Sequence, residues 1–285
     1  MSLRKSRFSR KAHALHRIYL YLRIIYESTA PRSKGRPSTR LLPLLSLSST
    51  DALNQAPNST LHSVFSEGHT QDQGLPDDMS TYECIYGVPR VLLIMLKEAI
   101  EVIDMVDIER EEGIVNMSEP LADRCEKLES KILDWHVGEH GLDNDEDNGS
   151  INATIIHHQT KAFHNALIMY FSQHVRLLGH RYQRGYVMNI LESIEAMEKI
   201  KAETNTVAAP LFWPAFIGAT EAFEPSMQAR FQRWYDGATL YGLAAVRTGI
   251  EVIHKVWEQG PSNGRRLESS WRTIVEEGKH TLMLT

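Results

Sequence analysis

Cysteine is nearly absent from this sequence: Cys84 and Cys125 stand alone among 285 residues. Two thiols so far apart exclude a disulfide scaffold, and they exclude any cysteine-rich zinc module supplied by this chain alone. They read as two buried thiols of an intracellular protein. Glycine and proline are scarce as well, at 17 and 11, which argues against an all-β sandwich with its many tight turns. No apolar run reaches the ~18 residues that suggest a membrane-spanning helix, so no membrane span is expected. A signal peptide is not expected either, because Arg23 interrupts Ile18–Ile25 and no small-residue cleavage site follows. Without secretion, the sequons at Asn58, Asn116, Asn148 and Asn152 carry no weight.

The catalytic and nucleotide-binding signatures are missing too. There is no GxGxxG, no Walker A loop, no GxSxG and no HExxH. A Ser-His-Asp set can be scattered along a chain, but nothing here singles one out. The acidic run Asp143–Gly149 lacks the alternate-position spacing and the closing Glu of a calcium loop. His157, His158, His164 and His174 share one helical stretch without an acid or cysteine at ligand spacing, so they read as solvated or hydrogen-bonded histidines. We assign no catalytic, cofactor-binding or metal-ligating residue.

Charge is present, and unevenly. Residues 1–40 hold eleven Lys and Arg and one acid, Glu27, a balance of +10. The other 245 residues hold 20 basic and 35 acidic side chains, a balance of −15. The body would repel a phosphate backbone and the N-terminal segment would attract one. The run Arg4–Lys11 fits a nuclear import signal, a weak non-specific nucleic-acid contact or an ordinary solvated tail.

Helical periodicity is also present, along most of the chain. Lys11–Ser28 spaces Leu15, Ile18, Leu22 and Ile25 by three or four and is stopped by Pro31. Its basic opposite face suits a membrane surface; docking on the main domain is the reading we prefer. Residues 31–80 are rich in Ser, Pro, Thr, Asn, Gln and Asp, and bury too little to offset their ordering entropy. They are expected to be a disordered linker, with a weak helix near Thr50–Asn54. Pro89 then opens a helix to about Met105, and Glu109–Glu112 reads as a charged loop or frayed end. Ser118 and Pro120 start a helix whose Leu121, Cys125, Leu128, Ile132 and Trp135 repeat by 4, 3, 4, 3. Gly138–Gly149 is a loop. From Ser150 to about Leu178 the chain is apolar on more than one face, as a central buried helix would be. Gly185 resets the chain before a helix over Tyr186–Thr204.

Three consecutive helices follow in Pro210–Trp257, with Phe223–Pro225 as a break and Gly218, Gly237 and Gly242 at close approaches or breaks. A last short helix covers Leu267 to about Lys279. The aromatics Trp213, Phe216, Trp234, Tyr235 and Trp257 could line a ligand pocket, but core packing is the preferred reading. Glu221 and Arg230 could form a partly buried structural pair.

The spacing of several of these elements resembles a known family. Trp213-Pro214, Phe216-Ile217-Gly218, Glu221-Ala222, Arg230, Gly242 and Val256-Trp257, with Tyr86–Pro89, Ala162-Phe163 and Ala166–Phe171 upstream, resemble the fungal-specific transcription factor domain. That domain lies C-terminal to the Zn2Cys6 binuclear cluster in many fungal regulators. Leu15–Ala30 resembles, more loosely, the arginine-metabolism regulator subgroup. The resemblance implies a nuclear transcription regulator, other regulators or coregulators as partners, and no catalysis. The family's cluster takes six cysteines and this chain has two, so the chain is expected to act without that cluster. A metabolite-sensing domain with a small-molecule effector, and an all-α enzyme, are the alternatives.

The expected architecture is all-α: an irregular bundle of eight or nine helices. Residues 1–30 are a basic tail and amphipathic helix, 31–80 the linker, and 81–285 the helical domain. Its packing centre is expected in the helices near 150–178 and 212–222.

Overall fold

The computed structural model describes residues 10–31, 86–114, 116–136, 149–238, 244–261, 270–282 and 284. The chain divides into a larger unit, Met1–Arg32 with Ser80–Thr285, and a smaller one, Ser33–Met79. The smaller unit falls outside the described residues. So do the basic run before Arg10, the helix expected near Thr50–Asn54, Cys84, Gly242 and nearly all of the acidic loop before Gly149.

The described residues form nine α-helices and one π-helical turn, and no strand. α1 (Arg10–Thr29) turns Tyr21, Ile24 and Ile25 into the core and packs on α2. α2 (Arg90–Glu111) follows Pro89 and buries Leu92, Leu96, Val102, Ile103 and Val106. It runs a turn and a half past Met105, so Glu109, Arg110 and Glu111 are helical rather than loop. The cause is tertiary: Arg110 is held by Asp107 and by carbonyls of a later element, so the charged end is anchored and does not fray.

α3 (Glu119–Asp134) presents Leu121, Cys125, Leu128 and Ile132 as its buried seam. Ser118 sits at its N-cap position with Pro120 inside the first turn. The Ser118 hydroxyl does not cap the helix, however; it donates to Glu109 at 2.5 Å, and the Ser118 amide donates to the same carboxylate at 2.9 Å. That double contact lowers the Glu109 pKa below the usual carboxylate range.

α4 (Gly149–Phe171) is the central helix. Every residue from Ala162 to Phe171 is buried, and it packs against α2, α3, α5 and α6. It begins one residue before the expected cap, Ser150. It ends not at Leu178 but in a π-helical turn, Ser172–Arg176. α5 (His180–Thr204) runs straight through Gly185, where a helix start was expected; no neighbour lies near that exposed glycine, so its cost is only the lost helix propensity.

α6 (Phe212–Ala219) is short and wholly buried, all eight residues. It packs against α4, α5, α7 and α8, where α7 is Pro225–Ala238 and α8 is Ala244–Gln259. A Cβ at Gly218 would stand 3.0 Å from Phe231 and 3.2 Å from Ile190, so this glycine sets how closely α5 and α7 approach. α9 (Ser270–Glu277) packs on α8 and buries Trp271, Ile274 and Val275. Leu282 and Leu284 finish the core. The packing centre is therefore α4 with α6, as the apolar patterns of those stretches require.

Candidate functional site: a polar core at the π-helical turn

The expected site residues do not gather in one place. Three aromatics of α6 leave it in three directions. Phe212 meets Trp234 edge-on at 5.7 Å, Trp213 lies 4.7 Å from Phe163, and Phe216 meets Trp271 edge-on at 5.4 Å. Tyr235 is buried beside Trp234, and Trp257 is half-buried with its indole N–H donating to the Ala219 carbonyl at 2.8 Å. These rings are packed into the core around α6; the indole N–H groups of Trp257 and Trp213 are satisfied, whereas the buried Tyr235 hydroxyl has no hydrogen-bond partner among the described residues.

Arg230 does form a fastening pair, but its carboxylate is Glu195 of α5 and not the expected Glu221. The guanidinium gives Nε and Nη2 to the two Glu195 oxygens at 2.9 and 2.6 Å. A two-pronged contact of this kind fixes orientation as well as charge, here of α7 on α5.

The histidines on α4 are hydrogen-bonded or partly exposed. His164 donates from Nε2 to the Ile132 carbonyl at 2.7 Å and packs edge-on against Trp135. Burial lowers its pKa, partly offset by that hydrogen bond. His157 and His158 contact each other at 5.7 Å. Among the described residues, no three His, Cys, Asp or Glu side chains are grouped as a metal site.

The chemistry that sequence reasoning missed lies where α4 becomes the π turn. A widened turn leaves carbonyls that the regular helix ladder would have used. Arg110 of α2 takes two of them, donating to His174 O at 2.6 Å and Val175 O at 3.0 Å. Its positive charge also suits the C-terminal end of a helix. Leu177 then adopts a left-handed conformation, φ 53°, and the Leu178 amide closes on Ser172 O at 3.2 Å. His174 folds back, with Nδ1–H donating to Tyr170 O at 2.6 Å.

Asp107 stands between two cations. It lies 3.3 Å from Arg110 and 3.5 Å from Arg272 of α9. Arg272 donates from Nη2 to the Tyr170 hydroxyl at 2.9 Å, and that hydroxyl donates to Ser28 O at 2.9 Å. Trp213 donates its indole N–H to the Ser28 hydroxyl at 2.9 Å, and this hydroxyl donates to Ile25 O at 2.6 Å. The Arg272 guanidinium lies within 5.7 Å of the Tyr170 and Trp271 ring centres, close enough for a cation–π contribution. Gln173 accepts from the Trp271 indole at 3.4 Å. One polar network thus ties α1, α2, α4, α6 and α9 together.

A second fixed point lies at the family-like segment Tyr86–Pro89. Gly87 has φ +60°, and a Cβ there would fall 1.9 Å from the Gln159 side-chain oxygen. Its carbonyl accepts from Thr160 at 2.7 Å. Only glycine meets both demands. Next to it, Tyr86 stacks on Tyr21 of α1 at 4.1 Å.

These positions include many of the residues on which the resemblance rests. The sequence profile described as Fungal specific transcription factor domain matches residues 2–285, and the chain belongs to that family. It is similar to Arginine metabolism regulation protein II of Saccharomyces cerevisiae, 22% identical over 255 residues. Those residues are 81% of this chain and 28% of that protein, so the chain spans less than a third of the length of this curated relative. No solved structure matches the chain. Among the described residues, no helix is long and apolar enough to cross a membrane.

Proposed function

We propose that this chain is the helical regulatory domain of a transcriptional regulator, working in the nucleus through contacts with other regulators or coregulators and not through catalysis. The observation that carries this reading is the family match across residues 2–285. The burial of Trp213, Pro214, Phe216, Ile217 and Gly218 at the packing centre supports it, because the motif residues serve as scaffold. Two cysteines cannot fill the six thiolate positions of the family's zinc cluster, so these 285 residues do not supply that cluster by themselves. The basic segment at 1–40 adds at most a weak, salt-sensitive contact with nucleic acid. The name of the yeast relative makes genes of arginine metabolism the first targets to examine.

The test is a tethering assay. The 285-residue chain is fused to a heterologous DNA-binding domain and to a fluorescent protein, and a reporter bearing the matching site is measured in a fungal host. Nuclear fluorescence with a changed reporter output, in either direction, is expected. A folded fusion that stays outside the nucleus, or that leaves the reporter unchanged, overturns the reading.

A further inference from the structure

α1 carries an apolar face that the core covers only in part, where Leu22 packs against it. Leu15 is 67% exposed, Tyr19 47% and Tyr26 38%, with half-buried Leu22 between them. Steps of 4, 3 and 4 return to the same side of a helix, so these four residues form one narrow stripe. This is the spacing with which one helix seats its seam against another. Other large exposed apolar side chains among the described residues, such as Met105 with Ile108 or Leu178 with Tyr182, occur singly or as near neighbours. The stripe has a firm backing: Tyr21, Ile24 and Ile25 are buried behind it, and Ser28 is held by both Tyr170 and Trp213.

Charge decides what could cover it. Residues 1–31 carry Arg4, Lys5, Arg7, Arg10, Lys11, Arg17 and Arg23 against one acid, Glu27. That acid is already engaged, by Arg23 at 2.8 Å. A second copy of such a helix would bring like charges together and be repelled, whereas an acidic helix would be attracted. We propose that the Leu15–Tyr19–Leu22–Tyr26 face docks an acidic amphipathic helix of another protein. The proposal rests on the regulatory reading for its biological sense; the binding event itself does not.

The experiment uses the whole purified chain and a labelled, designed three-heptad peptide with Leu at the a and d positions and Glu at e and g. A twin peptide with Lys at e and g is the control. Fluorescence anisotropy is expected to show binding of the Glu peptide and not of the Lys peptide, weakened by added salt. Leu15→Asp and Tyr19→Asp should each weaken it by about tenfold or more. Both positions are exposed, and unchanged thermal melts would show that the variants fold. Equal binding of the two peptides, no binding, or indifference to the Asp variants overturns the proposal. So does self-association that Tyr19→Asp abolishes, or a preference for phosphatidylserine vesicles or single-stranded DNA over the Glu peptide. Shielding of Tyr19 and Tyr26 from hydroxyl radicals in the free monomer would mean that this chain covers its own stripe, and would overturn it as well. A failed tethering assay with peptide binding intact sinks only the regulatory reading; the reverse pattern sinks only the docking face.

Discussion

Helix α6 and the middle of the π-helical turn, Gln173–Val175, are both buried and are held by opposite means. α6 has no ionisable side chain in its eight residues and packs by ring edges and methyl groups. The π turn buries Gln173 and His174 and is held by directed bonds from Arg110 and Trp271, beside an Asp107–Arg272 pair. Apolar burial depends mainly on volume and tolerates changes that preserve it. A polar core depends on every partner being present, because a stranded buried donor or acceptor costs its full desolvation. The first region should therefore be forgiving of shape and the second unforgiving of chemistry.

The largest expected effect is on the apolar side. Phe216→Ala should destabilise the chain by about 4 kcal/mol, read as a lower urea midpoint, because it opens a cavity against Trp271. Phe216→Leu should cost only about 1–2 kcal/mol. If the two cost the same, ring geometry matters as much as volume and the contrast with the π turn breaks. On the polar side, Arg272→Met keeps much of the side-chain volume, yet should cost about 2–3 kcal/mol by removing a charge partner of Asp107. A neutral result would mean that the network is ornamental to stability. Tyr170→Phe removes one oxygen, strands the Ser28 carbonyl and takes the acceptor from Arg272 Nη2. We expect about 1–2 kcal/mol. Combined with Arg272→Met in a double-mutant cycle, the two should couple by about 1 kcal/mol. Strict additivity would show independent bonds and not one network.

The same contrast explains what could be read without coordinates. The all-α class, α4 as the centre, the seam of α3 and the burial of α6 follow from apolar spacing, and the spacing was sufficient. Three features were hidden. The extension of α2 to Glu111 depends on Arg110 reaching carbonyls some sixty-four residues away. The π turn leaves no periodic trace, because Gln173 and His174 look like a helix end becoming polar. Arg272 sits beside Trp271 on an otherwise ordinary amphipathic helix, and only the fold brings it to Tyr170, 102 residues distant in sequence. The exchange of Glu221 for Glu195 as the partner of Arg230 has the same origin, since sequence nearness is a poor guide to which acid faces a cation across two helices.

The smallest effect concerns protons, and it sharpens the comparison by adding imidazoles whose burial, nearly full at His164 and partial at His158 and His180, favours the neutral form. Burial is the first cause that lowers the pKa of His158, His164 and His180 from the ordinary value of 6.5; the neighbours His157 and Lys161 add to it at His158, His136 at His164, and Arg181 at His180. A histidine whose folded pKa is lowered takes its proton more readily when unfolded. Its contribution is therefore whole above 6.5 and is lost as the pH falls through the lowered folded value. The carboxylates whose pKa is lowered, Glu109 and Glu224, respond in a separate window below 4.5. Urea midpoints should thus decline between about pH 7.5 and about pH 5.5, before Glu109 and Glu224 respond. His164→Gln keeps a donor for the Ile132 carbonyl and should flatten part of that slope. Midpoints that hold steady or rise on acidification to this point would show that these imidazoles are not stabilised in their neutral form, and that burial beside α4 is wetter than its packing implies.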